Sequence, residues 1–252
     1  MLFAKNKNNT ISAFTIAEIL ITLGIIGVVA ALTIPTLSEN ARNKELETAF
    51  KKSYSNVSGA INMIKSNAGT DDIYSIYSVY TTENGYYMNT EWTDEFYKVM
   101  PYVKVLSSSE TLTYWNYTKT AQAQSKPPAY SVASINHVLK DGSLVTTGVN
   151  SINGIKISIQ VDTNGLKKPN RYGFDVFRFY VGKDNKLVGM KTYDTHNYTA
   201  EELENDPNLD HNGFPCSKNS FSPLNGMGCA GYAIENICPD DPTKTYWECL
   251  PK

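Results

Sequence analysis

The sequence predicts an α+β fold: a long N-terminal helix packed on an antiparallel β-sheet, closed by a disulfide-bonded C-terminal loop region. Three observations predict it. Helical spacing of apolar residues reaches from Thr15 to Asn67. Segments between Ile135 and Met190 alternate in the manner of half-buried strands. All four cysteines, Cys216, Cys229, Cys238 and Cys249, lie late in the chain. The 252 residues suit one domain of ordinary size plus an extension. At 41% hydrophobic and 19% charged the chain can build a core, and it carries too little charge for disorder. The net charge of -2 comes without a concentrated basic face, so nothing points to nucleic acid.

Residues 1–13, MLFAKNKNNTISA, are polar, with Lys5 and Lys7 and no acid. Phe14 to Leu37 is apolar except for one charge, Glu18. A helix of about 20 such residues crosses the hydrocarbon core of a bilayer. The preceding lysines favour leaving the N-terminus in the cytoplasm. An ordinary signal peptide shares the basic start and the apolar run, and Val29-Ala30-Ala31 offers small residues for its cleavage. Neither that reading nor a plain single-span anchor accounts for Glu18, because a carboxylate in lipid is expensive and is usually kept for a reason.

Ala13-Phe14-Thr15-Ile16-Ala17-Glu18, followed by an apolar helix and Pro35, resembles the prepilin cleavage and methylation motif of type IV pilins and type II secretion or competence pseudopilins. The motif covers about 25 residues and is specific when Phe, Glu and the apolar run occur together. It implies a leader, 1–13, cut between Ala13 and Phe14 by a prepilin peptidase at the inner membrane, followed by methylation of the Phe14 amine. The family usually has Gly before the cut; here the small residue is Ala13. The resemblance also implies that Glu18 pairs with the N-terminal amine of a neighbouring subunit. The partners implied are copies of this chain or related pilins, and the filament assembly machinery. The location implied is single-pass in the inner membrane with an extracytoplasmic C-terminal domain, then a filament at the periplasm or cell surface.

The electrostatics of the segment agree with that pairing. Cutting after Ala13 leaves a positive amine beside lipid, and an unpaired buried charge costs several kcal/mol, so it seeks an acid. Gly24 and Gly27 are small enough for close helix approach, though glycine is also common in membrane helices. Pro35 removes a backbone donor and is expected to bend or loosen the helix. Residues 14–37 are therefore expected to span the membrane, and the resemblance implies that they also form the assembly helix.

Residues 38–69 continue the helix. Leu46, Phe50, Tyr54, Val57, Ile61 and Ile64 fall on one stripe, which the rest of the chain must cover. Glu47 and Lys51 form an i,i+4 pair on another side, and Asn67-Ala68-Gly69 reads as a C-cap. The whole helix would run about 80 Å at 1.5 Å per residue.

The globular domain is expected over 70–252. Glu91 to Val99 reads as a short helix ending before Pro101. Ser107 to Pro128 is rich in Ser, Thr and Gln and reads as a surface loop. Ile135–Leu139 and Leu144–Thr147 flank the turn Lys140-Asp141-Gly142-Ser143. Ile155–Val161 alternates cleanly, Phe174–Val181 alternates aromatics and polar residues around Arg178, and Leu187–Met190 adds an edge. Three to five strands are expected. The Cys-rich tail from 216 reads as two disulfides in an oxidising compartment. Of the three pairings, Cys216–Cys229 with Cys238–Cys249 closes the shortest loops and is expected, each worth about 3 kcal/mol on the chain-entropy model.

The loop after Val161 holds Asp162 and Asn164 before Gly165, like the start of a calcium loop. Tyr172 stands where the closing glutamate would be, and Asp175 is the substitute acid. Calcium binding occurs in some major pseudopilins. A stretch of this D-x-N-G…P-N…G-x-D form also resembles a structural connection in pilin-like proteins, and a turn without metal is the expectation; no cofactor is expected. Catalysis is not expected either. His137, His196 and His211 are scattered, Glu201, Glu202, Glu204, Asp206 and Asp210 read as a solvated run, and no nucleophile or phosphate motif occurs. The reading is a filament subunit. Its alternatives are a single-span anchored binding or adhesion domain that forms no filament, and a secreted enzyme behind a signal peptide.

Overall fold

The computed structural model describes residues 15–78, 81–83, 86–106, 112–124, 137–149, 157–191 and 215–251. The chain divides into two compact units, one ending at Arg42 and one covering Asn43–Lys252. Ala13, Phe14, Lys5, Lys7, Ile135, Ile155, His196, His211 and the acidic run 201–210 lie outside the described residues.

Helix α1 spans Ile16–Ala68 and stays helical through Pro35. It ends as its sequence suggests. Gly69 adopts φ +66°, a conformation glycine takes without a Cβ penalty. The Gly69 N–H bonds Ser66 O at 3.3 Å and the Thr70 N–H bonds Lys65 O at 3.2 Å, which together form a Schellman stop.

In the second unit, α2 (Ile73–Tyr77) and α3 (Thr90–Val99) begin on side-chain caps: Asp72 accepts from the Ser75 N–H, and Asn89 from the Trp92 N–H. Two hairpins are small: β1 (Thr81–Glu83) with β2 (Tyr86–Met88), and β4 (Thr113–Trp115) with β5 (Gln122–Gln124). The main sheet uses β3 (Tyr102–Val105), β6 (His137–Leu139), β7 (Leu144–Val149), β8 (Ile157–Asp162), β9 (Val176–Val181) and β10 (Leu187–Gly189). Its order is β10-β9-β8-β7-β6-β3, and every neighbouring pair is antiparallel.

The sheet covers the α1 stripe. Leu46, Phe50, Val57, Ile61 and Ile64 are buried, with Tyr54 packed at the margin. They share one core with Val145, Ile157, Ile159, Val161, Phe177 and Phe179. The Phe50 ring lies 4.5 Å from that of Phe177 and 5.5 Å from the Trp247 indole, so the C-terminal tail helps close this core. From α3, Trp92 is fully buried and satisfies its indole N–H on Thr147 Oγ1 at 2.7 Å.

Three expectations are corrected. The sheet has six strands rather than three to five, because β3 pairs with β6 at one edge. The segment from Ser107 to Pro128 is not simply a surface loop. Tyr114, Asn116 and Tyr117 are buried there, and the Asn116 carboxamide bonds Thr120 N, Ala121 N and Ser222 O. Finally, β9 starts at Val176 and does not present a polar face. A second apolar cluster, including Tyr114, Tyr172, Tyr180 and Met227, packs on Val176, so both faces of this strand are covered.

Candidate assembly helix and supporting loops

Within α1, Ile16 to Leu37 forms an apolar surface that its own chain leaves uncovered. Leu20, Leu23, Ile26, Leu32 and Leu37 are all exposed. By length and composition this is a helix able to cross a membrane. Two of its hydroxyls are satisfied within the helix. The Thr22 hydroxyl donates to Ile19 O and the Thr33 hydroxyl to Val29 O, each at 2.9 Å. Pro35 offers no N–H to the preceding turn, yet the helix continues. A Cβ placed on Gly24 or Gly27 would meet nothing within 4 Å, so both are open grooves on the helix surface.

Glu18 sits in the first turn and closes a capping box with Thr15. Glu18 Oε2 accepts from the Thr15 N–H at 2.8 Å and from the Thr15 hydroxyl at 2.9 Å, while the Glu18 N–H donates to Thr15 Oγ1 at 3.2 Å. This arrangement places a negative charge at the positive end of the helix dipole. The local sequence carries the signal for this cap, a Thr three residues before a Glu at the head of an apolar run. Among the described residues Glu18 has no cationic partner, and its Oε1 accepts no hydrogen bond.

The four cysteines form the two sequential disulfides expected, Cys216–Cys229 and Cys238–Cys249. Buried Asn225 organises the first loop. Its Oδ1 accepts from the Ser217 N–H, and its Nδ2 donates to Ser217 O and Ser220 O. The second loop carries Tyr246, whose hydroxyl donates to Gly173 O at 2.6 Å.

The structure brings Asp162, Asn164 and Asp175 together at one end of the β8–β9 hairpin. Asp162 closes β8 opposite Val176, and the Thr163 N–H bonds Asp175 O at 2.7 Å. Asp162 Oδ1 accepts from Asn164 N and Gly165 N, and the Asp175 oxygens accept from Asn170 N and Arg171 N. Asp162 is 2% exposed and Asp175 0%. Burial pushes the Asp175 carboxyl up to about 6, against the backbone N–H bonds that pull it down. Burial and then the charge of Asp175 push Asp162 well up from the usual carboxylate range. Among the described residues no group of three His, Cys, Asp or Glu side chains forms a metal cluster. His137 lies in β6, stacked on Tyr97 at 3.8 Å between ring centroids, which is a packing role.

No family model, no curated protein and no solved structure matches the chain.

Proposed function

We propose that the chain is a structural subunit of a type IV pilus or a type II secretion-like pseudopilus, processed by a prepilin peptidase, N-methylated, and assembled through its N-terminal helix. The observation that supports this reading most is Glu18. It is the single acid of an otherwise uncharged apolar helix segment, and one of its oxygens remains open among the described residues. In a staggered bundle of such helices that oxygen meets the Phe14 amine of the next subunit. Neutralising both charges selects the axial register. Gly24 and Gly27 let neighbouring helices approach, and the domain from Asn43 onward is displayed outside the membrane, where its disulfides persist.

The Thr15–Glu18 cap favours a second reading. Here Glu18 serves only its own helix, and the chain is a single-span anchored binding or adhesion domain that forms no filament. Two variants separate the readings, scored as sheared surface filaments or co-purified subunits against total membrane protein. Glu18→Ala removes cap and charge. Glu18→Gln keeps a capping-box residue and removes the charge. The filament reading expects both to lose incorporation while membrane insertion and the disulfide-bonded domain persist. Normal incorporation of both contradicts it. Loss with Ala and full rescue by Gln assigns Glu18 to the cap alone.

A further inference from the structure

Leu166, Lys167 and Lys168, consecutive in the β8–β9 connection, are all exposed, and Leu166 keeps 58% of its surface. The turn that carries them is held in place. Asp162 Oδ1 accepts from the Asn164 and Gly165 N–H groups, and Asn164 Nδ2 donates to Lys168 O at 3.2 Å. Gly165 rests against the Gly142 carbonyl, so Lys140, exposed in that neighbouring turn, belongs to the same corner of the unit. Among the described residues none of these three lysines forms an ion pair. Asp141, the acid next to Lys140, is taken by Lys52 at 2.7 Å. The carboxylates of Asp162 and Asp175 are buried on backbone N–H groups.

Register places this corner at the end of the second unit where α1 enters it. The Phe50 ring lies 4.5 Å from Phe177 and the Tyr54 ring 5.7 Å from Phe179, so β9 and α1 advance in the same direction. Val176, which opens β9, pairs with Asp162, and Asp162 pairs with Leu144. The turns beyond these three residues therefore lie toward the Asn43 end. Only Ser38 to Arg42 separate Asn43 from Leu37, the last residue of the apolar segment. Even a fully extended chain of that length reaches only about 20 Å. A bilayer that holds the apolar segment keeps this end of the unit within reach of its headgroups.

We propose that Leu166, Lys167 and Lys168, with Lys140, form a corner that docks on the anionic lipid surface of the bilayer holding the chain's own helix. The ammonium groups meet lipid phosphates, and the Leu166 side chain enters the boundary between headgroups and acyl chains. The helix supplies the anchorage, so the corner only orients the domain, and tethering makes a weak contact sufficient. Each basic side chain near an anionic surface favours the docked form roughly fivefold. The proposal rests on the membrane helix, which the filament and single-span readings share, and on neither reading beyond that.

The test places the full chain in nanodiscs of phosphatidylcholine alone, or of phosphatidylcholine with an equal part of phosphatidylglycerol. Brief lysine acetylation is then read residue by residue by mass spectrometry, and co-elution with the disc checks insertion. Lys183, exposed in the β9–β10 turn at the opposite end of the sheet, is the internal reference. The expected result in anionic discs is labelling of Lys140, Lys167 and Lys168 at least about threefold slower than in neutral discs, with Lys183 unchanged. Salt at about 0.5 M weakens that protection, because the Debye length shrinks to about 4 Å. In a chain carrying both Lys167→Glu and Lys168→Glu, Lys140 labels in anionic discs as fast as in neutral ones. Equal labelling of the three lysines in both lipids, by inserted wild-type chain, overturns the docking and leaves the membrane anchorage standing. A matching fall at Lys183 overturns it too, since a general effect of the charged disc on the reagent then explains the change. Full protection of Lys140 in the double variant overturns it as well. A chain that co-elutes with neither disc removes the membrane helix and the docking together.

Discussion

Gly165 shows how tightly single residues are specified in this chain. Its φ is +69°, and a Cβ there would lie 2.0 Å from the Gly142 carbonyl oxygen. The turn of the β6–β7 hairpin therefore rests directly on the backbone that grips Asp162. Gly165→Ala is expected to destabilise the second unit by at least about 2 kcal/mol, from left-handed strain together with overpacking against backbone. A shift in the denaturant midpoint without a change in slope checks it. A midpoint shift of less than a few tenths of that size contradicts the close packing of the two turns. The sequence displays the glycine as a turn residue but not the contact across to Gly142, which is a tertiary fact. Glu18 is the reverse case. Its capping box is purely local and lies in the spacing of Thr15 and Glu18, but within an apolar run the cost of the charge is the louder signal. Tyr114, Asn116 and Tyr117 stayed hidden for another reason. Their Ser-, Thr- and Gln-rich neighbours signal a loop, while burial comes from the C-terminal tail, whose Asn225 carbonyl accepts from the Tyr117 N–H at 2.7 Å.

At the scale of elements, legibility follows the strength of the local period. Helix α1 declares itself because the stripe from Leu46 to Ile64 keeps its spacing through polar surroundings, and Gly69 stops it where the cap is expected. Strand β8 does the same through alternation, its residues from Ile157 to Gln160 burying every second side chain. Strand β3 is the counterexample. Tyr102-Val103-Lys104-Val105 is exposed throughout, so no alternation marks it, and only pairing with β6 makes it a strand. The disulfides act on the last element, α4 (Ala230–Glu235), and on the loops around it. They close loops of separation 13 and 11, so each should contribute about 3 kcal/mol by restricting the unfolded chain. Alkylation of the native protein is expected to label no thiol. Labelling after reduction should find four, with a loss of several kcal/mol in stability. Four reactive thiols in native exported protein would contradict both bonds.

Across the whole molecule, the two units have different solvents in view. The unit from Asn43 onward buries its apolar residues against itself and joins its tail to its sheet through Phe50, Phe177 and Trp247. The α1 segment from Ile16 to Leu37 exposes its apolar residues all round, a state that water does not tolerate over such an area. Lipid or neighbouring copies of the helix are the surroundings that fit it, and the filament reading supplies both in turn. That reading depends on the chain being cut on the cytoplasmic side, before the apolar run, so that an amine is created four residues from Glu18. Mass spectrometry of the mature chain purified from its native membrane tests this most directly. The account expects an N-terminus at Phe14 carrying a methylated amine. A chain beginning beyond Ala30, cut after the apolar run, would contradict it.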